Sequence, residues 1–152
     1  NTRVLTQEFS RSEIMSLTGQ CLCGIITYEL SNPPAMTGVC HCKNCQRQAG
    51  SAFSTLAGVA KTDFVLKSGQ MKIYKDSETD TGNTVERHFC AECGSPIYSA
   101  VPDSPDVLFI KTGTMDDTSS FNPQFHIWCS SKQDWVGLDE GVPAMQKTEG
   151  LG

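Results

Sequence analysis

Cys21-Leu22-Cys23-Gly24 and, far down the chain, Cys90-Ala91-Glu92-Cys93-Gly94 are the stretches that decide the fold. Thiols one or two residues apart do not readily pair with each other, because a disulfide restricts the separation and direction of its partners. Side chains alternate along an extended segment. Cys21 and Cys23 are therefore expected to share a face, with Leu22 turned into the core. Cys-x-x-Cys across a tight turn also brings two thiols together, and Gly94 suits such a turn. Four sulfurs of this kind close a tetrahedral zinc site with bonds of about 2.3 Å. A closed site leaves no position for a substrate, so its expected role is structural: it ties the chain near residue 22 to a turn near residue 92.

Between these pairs lies Cys40-His41-Cys42-Lys43-Asn44-Cys45. Three local thiols cap one face of a tetrahedron, and a zinc ion held by three protein ligands keeps an open position of the kind catalytic sites use. Three thiolates make such an ion a weak Lewis acid. It suits the capture of a fourth thiol, which loses its proton on coordination, better than the making of hydroxide. The expectation is two zinc ions per chain, one structural at Cys21, Cys23, Cys90 and Cys93, and one catalytic at Cys40, Cys42 and Cys45. Spacing leaves three alternatives open: completion of the second site by Cys129 or His126, another partition of the seven thiols, and a metal-free redox centre at the trio.

The rest of the composition narrows the class. Eight cysteines in 152 residues would suggest disulfides if they were scattered, but seven sit in tight clusters, which favours metal. A net charge of −5 without a compensating run of Lys or Arg argues against nucleic acid. No stretch of 18 apolar residues offers a membrane span. Residues 1–17 are polar and lack the apolar core of a secretory signal, so the expected location is cytoplasmic. The length fits one domain, expected over 18–136, between an N-terminal arm (1–17) and a C-terminal tail (137–152).

Short β-branched and aromatic runs punctuated by turn residues give an all-β pattern with little helix. Strands are expected at 25–30, 37–40, 52–59, 64–67, 71–75, 85–89, 96–100, 107–112 and 125–129. A helical turn is expected at 12–17 and another at 44–49. Thr18-Gly19 reads as a turn, 71–75 as a half-buried strand, and 76–83 as an exposed loop. The chain after Trp135 reads as a fraying tail.

Further candidates accompany the cysteines. His41 is a candidate general base, although its place between two ligands points it away from them. Arg47 is a candidate for holding a substrate carboxylate, and Gln46 lies beside it. His126, Phe53 and Ser51 are candidates for lining a pocket. Asp116-Asp117 reads as a turn, and Cys129 as a buried free thiol.

Taken together, Gly19-Gln20-Cys21-Leu22-Cys23-Gly24, the run from Cys40 to Phe53, and Phe89-Cys90-Ala91-Glu92-Cys93-Gly94-Ser95-Pro96 resemble the glutathione-dependent formaldehyde-activating enzymes and their centromere-protein-V relatives. Lys111-Thr112-Gly113, Asp116-Asp117, Pro123, His126-Ile127-Trp128 and Trp135 are similar to that family's C-terminal blocks. The resemblance spans about Gly19 to Trp135. It implies a mainly β fold, a β-tent of antiparallel sheets built around the structural zinc, and the same division of the cysteines between two zinc sites. It also implies a carbon–sulfur lyase-type activity on a glutathione adduct or small electrophile, with glutathione competing for the second zinc so that its occupancy can be partial. Two other functions are kept beside it: a zinc enzyme repurposed for isomerisation or elimination, and a non-enzymatic zinc scaffold.

Overall fold

A computed structural model describes residues 17–148. The helical turn read at 12–17 lies, but for Leu17, outside them. The described residues form two sheets. In the smaller, β1 (Thr18–Gln20), β2 (Thr27–Leu30) and β5 (Phe64–Ser68) run antiparallel in the order β1-β2-β5. The larger contains β3 (Met36–Cys40), β4 (Ser54–Ala60), β6 (Met71–Asp76), β7 (Val85–Cys90), β8 (Pro96–Ala100), β9 (Val107–Lys111) and β10 (His126–Ile127), in the order β10-β3-β4-β9-β8-β7-β6. Every pairing in it is antiparallel except β10 beside β3. The helix α1 (Lys43–Ala49) joins β3 to β4. The architecture is mainly β, as expected from the run of short strands.

Residues directly opposite in antiparallel strands share a face, so the register divides the large sheet into two surfaces. Ala57 opposes Ile110, Val59 opposes Leu108, and Ile110 opposes Tyr98. This face packs on the small sheet, where Ile26, Tyr28 and Leu30 join Ala57, Val59, Ile97, Leu108 and Ile110 in one core that also contains Cys21 and Cys90. Each fully buried aliphatic chain there contributes roughly 1.5–3 kcal/mol. Tyr28 stacks on Phe64 with ring centres 5.1 Å apart. The chain leaves room for it at Gly19, where a Cβ would meet the phenol ring at 2.2 Å.

The opposite face carries the other set. Cys40 opposes Ser54, Leu56 opposes Lys111, Phe109 opposes Ser99, and Ser99 opposes Arg87. That row brings a thiol, a lysine and an arginine from three strands to one surface.

Several local expectations fail for identifiable reasons. Leu22 is 86% exposed, not in the core. Residues 21–24 form a turn closed by Gly24 N–H donating to the Cys21 carbonyl, so extended alternation does not apply. Thr18-Gly19 is strand, not turn, because β1 pairs with β2. The strand β6 lies at the sheet edge with Ile73 52% and Tyr74 63% exposed, so its alternation is not the mark of one buried face. Asp76 is no exposed loop residue: it ends β6 and is buried. The strand read at 125–129 is only His126–Ile127, since Trp128 turns to φ 57°. Cys129 is half-buried, not fully buried. The described part of the tail is tied down. His126 N–H donates to the Pro143 carbonyl, Met145 N–H to the His126 carbonyl, and Trp128 N–H to the Lys147 carbonyl.

Candidate functional site

Two groups of thiols converge. Among the described residues, Cys21, Cys23, Cys90 and Cys93 bring their sulfurs within 4.8 Å of one another, and Cys40, Cys42 and Cys45 do the same separately. All eight cysteines are free thiols.

Both pairs of the first group sit in tight turns followed by a left-handed glycine, Gly24 at φ 79° and Gly94 at φ 78°. A side chain is strained in that region, so glycine is needed there. Gly94 N–H donates to the Cys90 carbonyl and Cys90 N–H to the Ser95 carbonyl, which folds the second turn around its sulfurs. Cys21 and Cys23 Sγ lie 3.5 Å apart, and Cys23 and Cys90 Sγ 3.8 Å. The edge of a tetrahedron with bonds of about 2.3 Å is about 3.8 Å, so the spacing fits a zinc ion. The donors around the sulfurs fit as well. Ile26 N–H points at Cys21, and the N–H groups of Glu92 and Cys93 point at Cys90. Ser95 Oγ accepts from Leu22 N–H, which leaves its own hydrogen for Cys93 Sγ at 3.1 Å. That hydrogen bond, with others, draws the Cys93 thiol down to about 5.

The second group is placed by one strand and one helix. Cys40 ends β3, Cys42 caps the N-terminus of α1 with its sulfur accepting Cys45 N–H at 3.2 Å, and Cys45 lies in the first turn. Two cations stand beside them. Arg87 Nη1 lies 3.8 Å from Cys45 Sγ, while its Nη2 pairs with Asp76 at 2.8 Å. Asn44 holds Asp76 through two further contacts and also donates to the Glu78 carbonyl, so α1 and the chain after β6 share one polar network. Lys111 is buried and donates to Ser54 Oγ at 2.8 Å. The Cys45 thiol is pulled down to about 2, first by hydrogen bonds from Cys40 and Cys42, with Lys111 and Arg87 assisting against burial. Burial pushes Lys111 below its ordinary value, while the thiols beside it oppose that.

The charges of this cluster test the fit to a metal. Three thiolates, Asp76, Arg87 and Lys111 sum to −2, which is expensive to bury alone. A divalent cation makes the buried set neutral. These residues therefore fit a zinc ion with three thiolate ligands. Among the described residues, no fourth Cys, His, Asp or Glu joins the group.

The remaining sequence candidates fall elsewhere. His41 is fully buried and points away from the thiols, its Nε2 2.9 Å from His126 Nδ1 and its ring edge-on to Phe53. Burial, then His126 and Lys132, lower it to about 4, so it is neutral at physiological pH. Gln46 is buried and donates to the carbonyls of His41 and Ser131, a brace between α1 and the C-terminal region. Arg47 is exposed. A cavity of about 570 Å³ opens beside the trio, and Cys40, Cys42, Cys45, Arg87 and Lys111 line it; His41, Arg47, Ser51, Phe53 and His126 do not. The cations at the thiols are thus Arg87 and Lys111, which sequence reading missed. The one available signal was Lys111 itself, a lysine in register with Val107 and Phe109 on a strand that otherwise reads as apolar.

Comparison with known proteins fits this geometry. A family profile described as glutathione-dependent formaldehyde-activating enzyme matches residues 16–131. The chain belongs to that family. A curated Halomonas elongata protein, provisionally named a glutathione-dependent formaldehyde-activating enzyme, is 28% identical over 129 residues, covering 82% of each chain. A crystal structure of a Rhodobacter sphaeroides protein shares the fold at 20% identity and a TM-score of 0.53, covering 84% of this chain and 98% of that one. The matched region holds both thiol clusters, Arg87 and Lys111.

Proposed function

We propose that this member of the formaldehyde-activating family is a zinc enzyme that makes or breaks a carbon–sulfur bond between a thiol, such as glutathione, and a small electrophile. The catalytic site is Cys40, Cys42 and Cys45, while Cys21, Cys23, Cys90 and Cys93 hold a structural zinc. The observation that carries this reading is the trio itself: three sulfurs with no fourth protein ligand among the described residues, facing a cavity. A bound zinc would lower the pKa of an incoming thiol and keep its sulfur nucleophilic. The chain's own residues supply the rest. Arg87 and Lys111 offset the negative charge of the thiolates. Asp76 fixes the direction of Arg87. His41 and His126 support the backbone behind the site. The scaffold reading requires a fourth protein ligand on the second ion, and among the described residues no fourth Cys, His, Asp or Glu joins the trio.

The test is Cys45→Ser. Circular dichroism and melting should stay close to those of the parent, one zinc per chain should be lost, and turnover of glutathione with formaldehyde should fall by at least about a hundredfold. Unchanged turnover removes the assignment.

A further inference from the structure

The cavity is much larger than formaldehyde needs, and its wall is apolar. Met36, Leu56, Phe109, Phe125, Ile127 and Trp128 face a space of about 570 Å³, inside the range of about 300–1,000 Å³ typical of small-molecule sites. Formaldehyde has two heavy atoms, the bulk of a water molecule or two at about 30 Å³ each, and would touch almost none of this wall.

The wall is built into the backbone. A Cβ on Gly38 would stand 2.3 Å from the Phe125 ring, and one on Gly58 would stand 2.7 Å from Met36. Glycines on two neighbouring strands thus let these side chains lie flat on the sheet. Trp128 is the one described non-glycine residue with positive φ, at 57°. That conformation is sparsely populated, persists only where its surroundings enforce it, and clusters at functional sites. Here it sets the indole against the thiol cluster.

Besides the cysteines, the polar lining comprises two cations, the acidic Asp80 and neutral side chains that include Asn44, Ser99 and Thr148. Arg87 and Lys111 stand by the thiols, already engaged with Asp76 and Ser54. The outer lining holds Thr79, Thr81, Asn83 and the acidic Asp80. Among the described residues the two cations of the lining, Arg87 and Lys111, both stand by the thiols, so neither is placed for the two carboxylates of a glutathione held there by its sulfur. A glutathione held by its sulfur would leave its charged arms towards solvent, and the apolar wall of the open cavity would go to the second reactant.

We propose that the electrophile taken here is an aldehyde with an apolar substituent, of the size of an aromatic ring or a branched alkyl chain, not formaldehyde alone. This rests on the carbon–sulfur reading above. In the step, the thiol sulfur adds to the carbonyl carbon and a carbon–sulfur bond forms. The electron pair of the carbon–oxygen π bond moves to oxygen, which takes the thiol proton. The product is a hemithioacetal, and no oxidant or reductant is needed. The ring lies against Phe109 and Trp128, and the developing charge on oxygen lies near Lys111.

The experiment compares benzaldehyde and formaldehyde as partners for glutathione with the full chain, and follows benzyl alcohol and methanol by calorimetry. The expected result is a kcat/KM for benzaldehyde at least about tenfold above that for formaldehyde, the scale a few apolar contacts can discriminate. Benzyl alcohol should bind saturably, one per chain, and methanol should not. Val101→Trp, at the cavity wall, should lower the benzaldehyde-to-formaldehyde ratio at least about tenfold. If that variant does not fold, the calorimetry on the parent protein decides. Preference for formaldehyde, or no saturable benzyl alcohol binding, overturns the inference and leaves the proposed function standing. Acceleration of neither aldehyde overturns both.

Discussion

The two thiol clusters lie on opposite sides of one sheet and are solvated differently. In the four-thiol group Cys21 and Cys90 pack into the core between the sheets with Tyr28, Ile97 and Ile110, while Cys93 is half-buried and Cys23 exposed. The group's negative charge is met by backbone N–H groups and a serine hydroxyl. The three-thiol group lies on the cavity face, where its charge is met by two buried cations, Arg87, which also pairs with Asp76, and Lys111, which donates to Ser54. Donors on a fixed backbone hold a site shut, whereas whole cations let a fourth ligand of negative charge approach. On the function proposed above, the difference teaches that similar thiol chemistry becomes structural or reactive through which face of the sheet it occupies and what neutralises it.

The largest expected effect separates the clusters by stability. Cys90→Ser should abolish cooperative melting, since structural zinc binding of about 10–16 kcal/mol in small zinc peptides becomes folding energy, against a typical total stability of about 5–15 kcal/mol. A Cys90→Ser protein that melts cooperatively at the parent temperature breaks the comparison. By contrast, Cys45→Ser should keep its fold.

A smaller effect tests how the open cluster is neutralised. Lys111→Met keeps the aliphatic stem and removes the charge. Turnover should fall about 10–100-fold, because a thiolate reactant loses its cation, while both zinc ions stay bound in competition with a chelator. Loss of both ions together would show that the two faces are not independent.

The smallest effect concerns the core beside the closed cluster. Burial raises the Tyr28 hydroxyl to about 12, with Thr114 opposing and Asp116 adding to the rise. The folded state holds the proton more tightly than the unfolded state, so this contribution is complete below pH 10 and is lost as pH rises towards 12. Near pH 11 about 1 kcal/mol should be gone, and Tyr28→Phe should not show that alkaline loss in denaturant titrations.

Much of this organisation was legible before the structure. The 2+3+2 thiol spacing separates the clusters, and β8 is read to the residue because Pro96 opens it. What could not be read depends on pairing. Thr18–Gln20 becomes strand only because Thr27–Leu30 lies beside it. Leu22 is exposed because a glycine turn replaces extended alternation. Arg87 sits in a strand with polar residues at both parities, Val85-Glu86-Arg87-His88, so only the register with Ser99 assigns it to the cavity face. Asp76 looks like loop composition until Arg87, two residues past its partner Val85 on the next strand, pairs with it. Arg47 follows the ligands directly in sequence, yet α1 turns it outward.

The most direct test is the zinc content of anaerobically prepared protein, measured with and without excess glutathione. Two ions per chain, falling towards one as the thiol is added while the melting transition persists, is the predicted result. Native protein with its clustered cysteines oxidised to disulfides, or one holding no zinc, would contradict it.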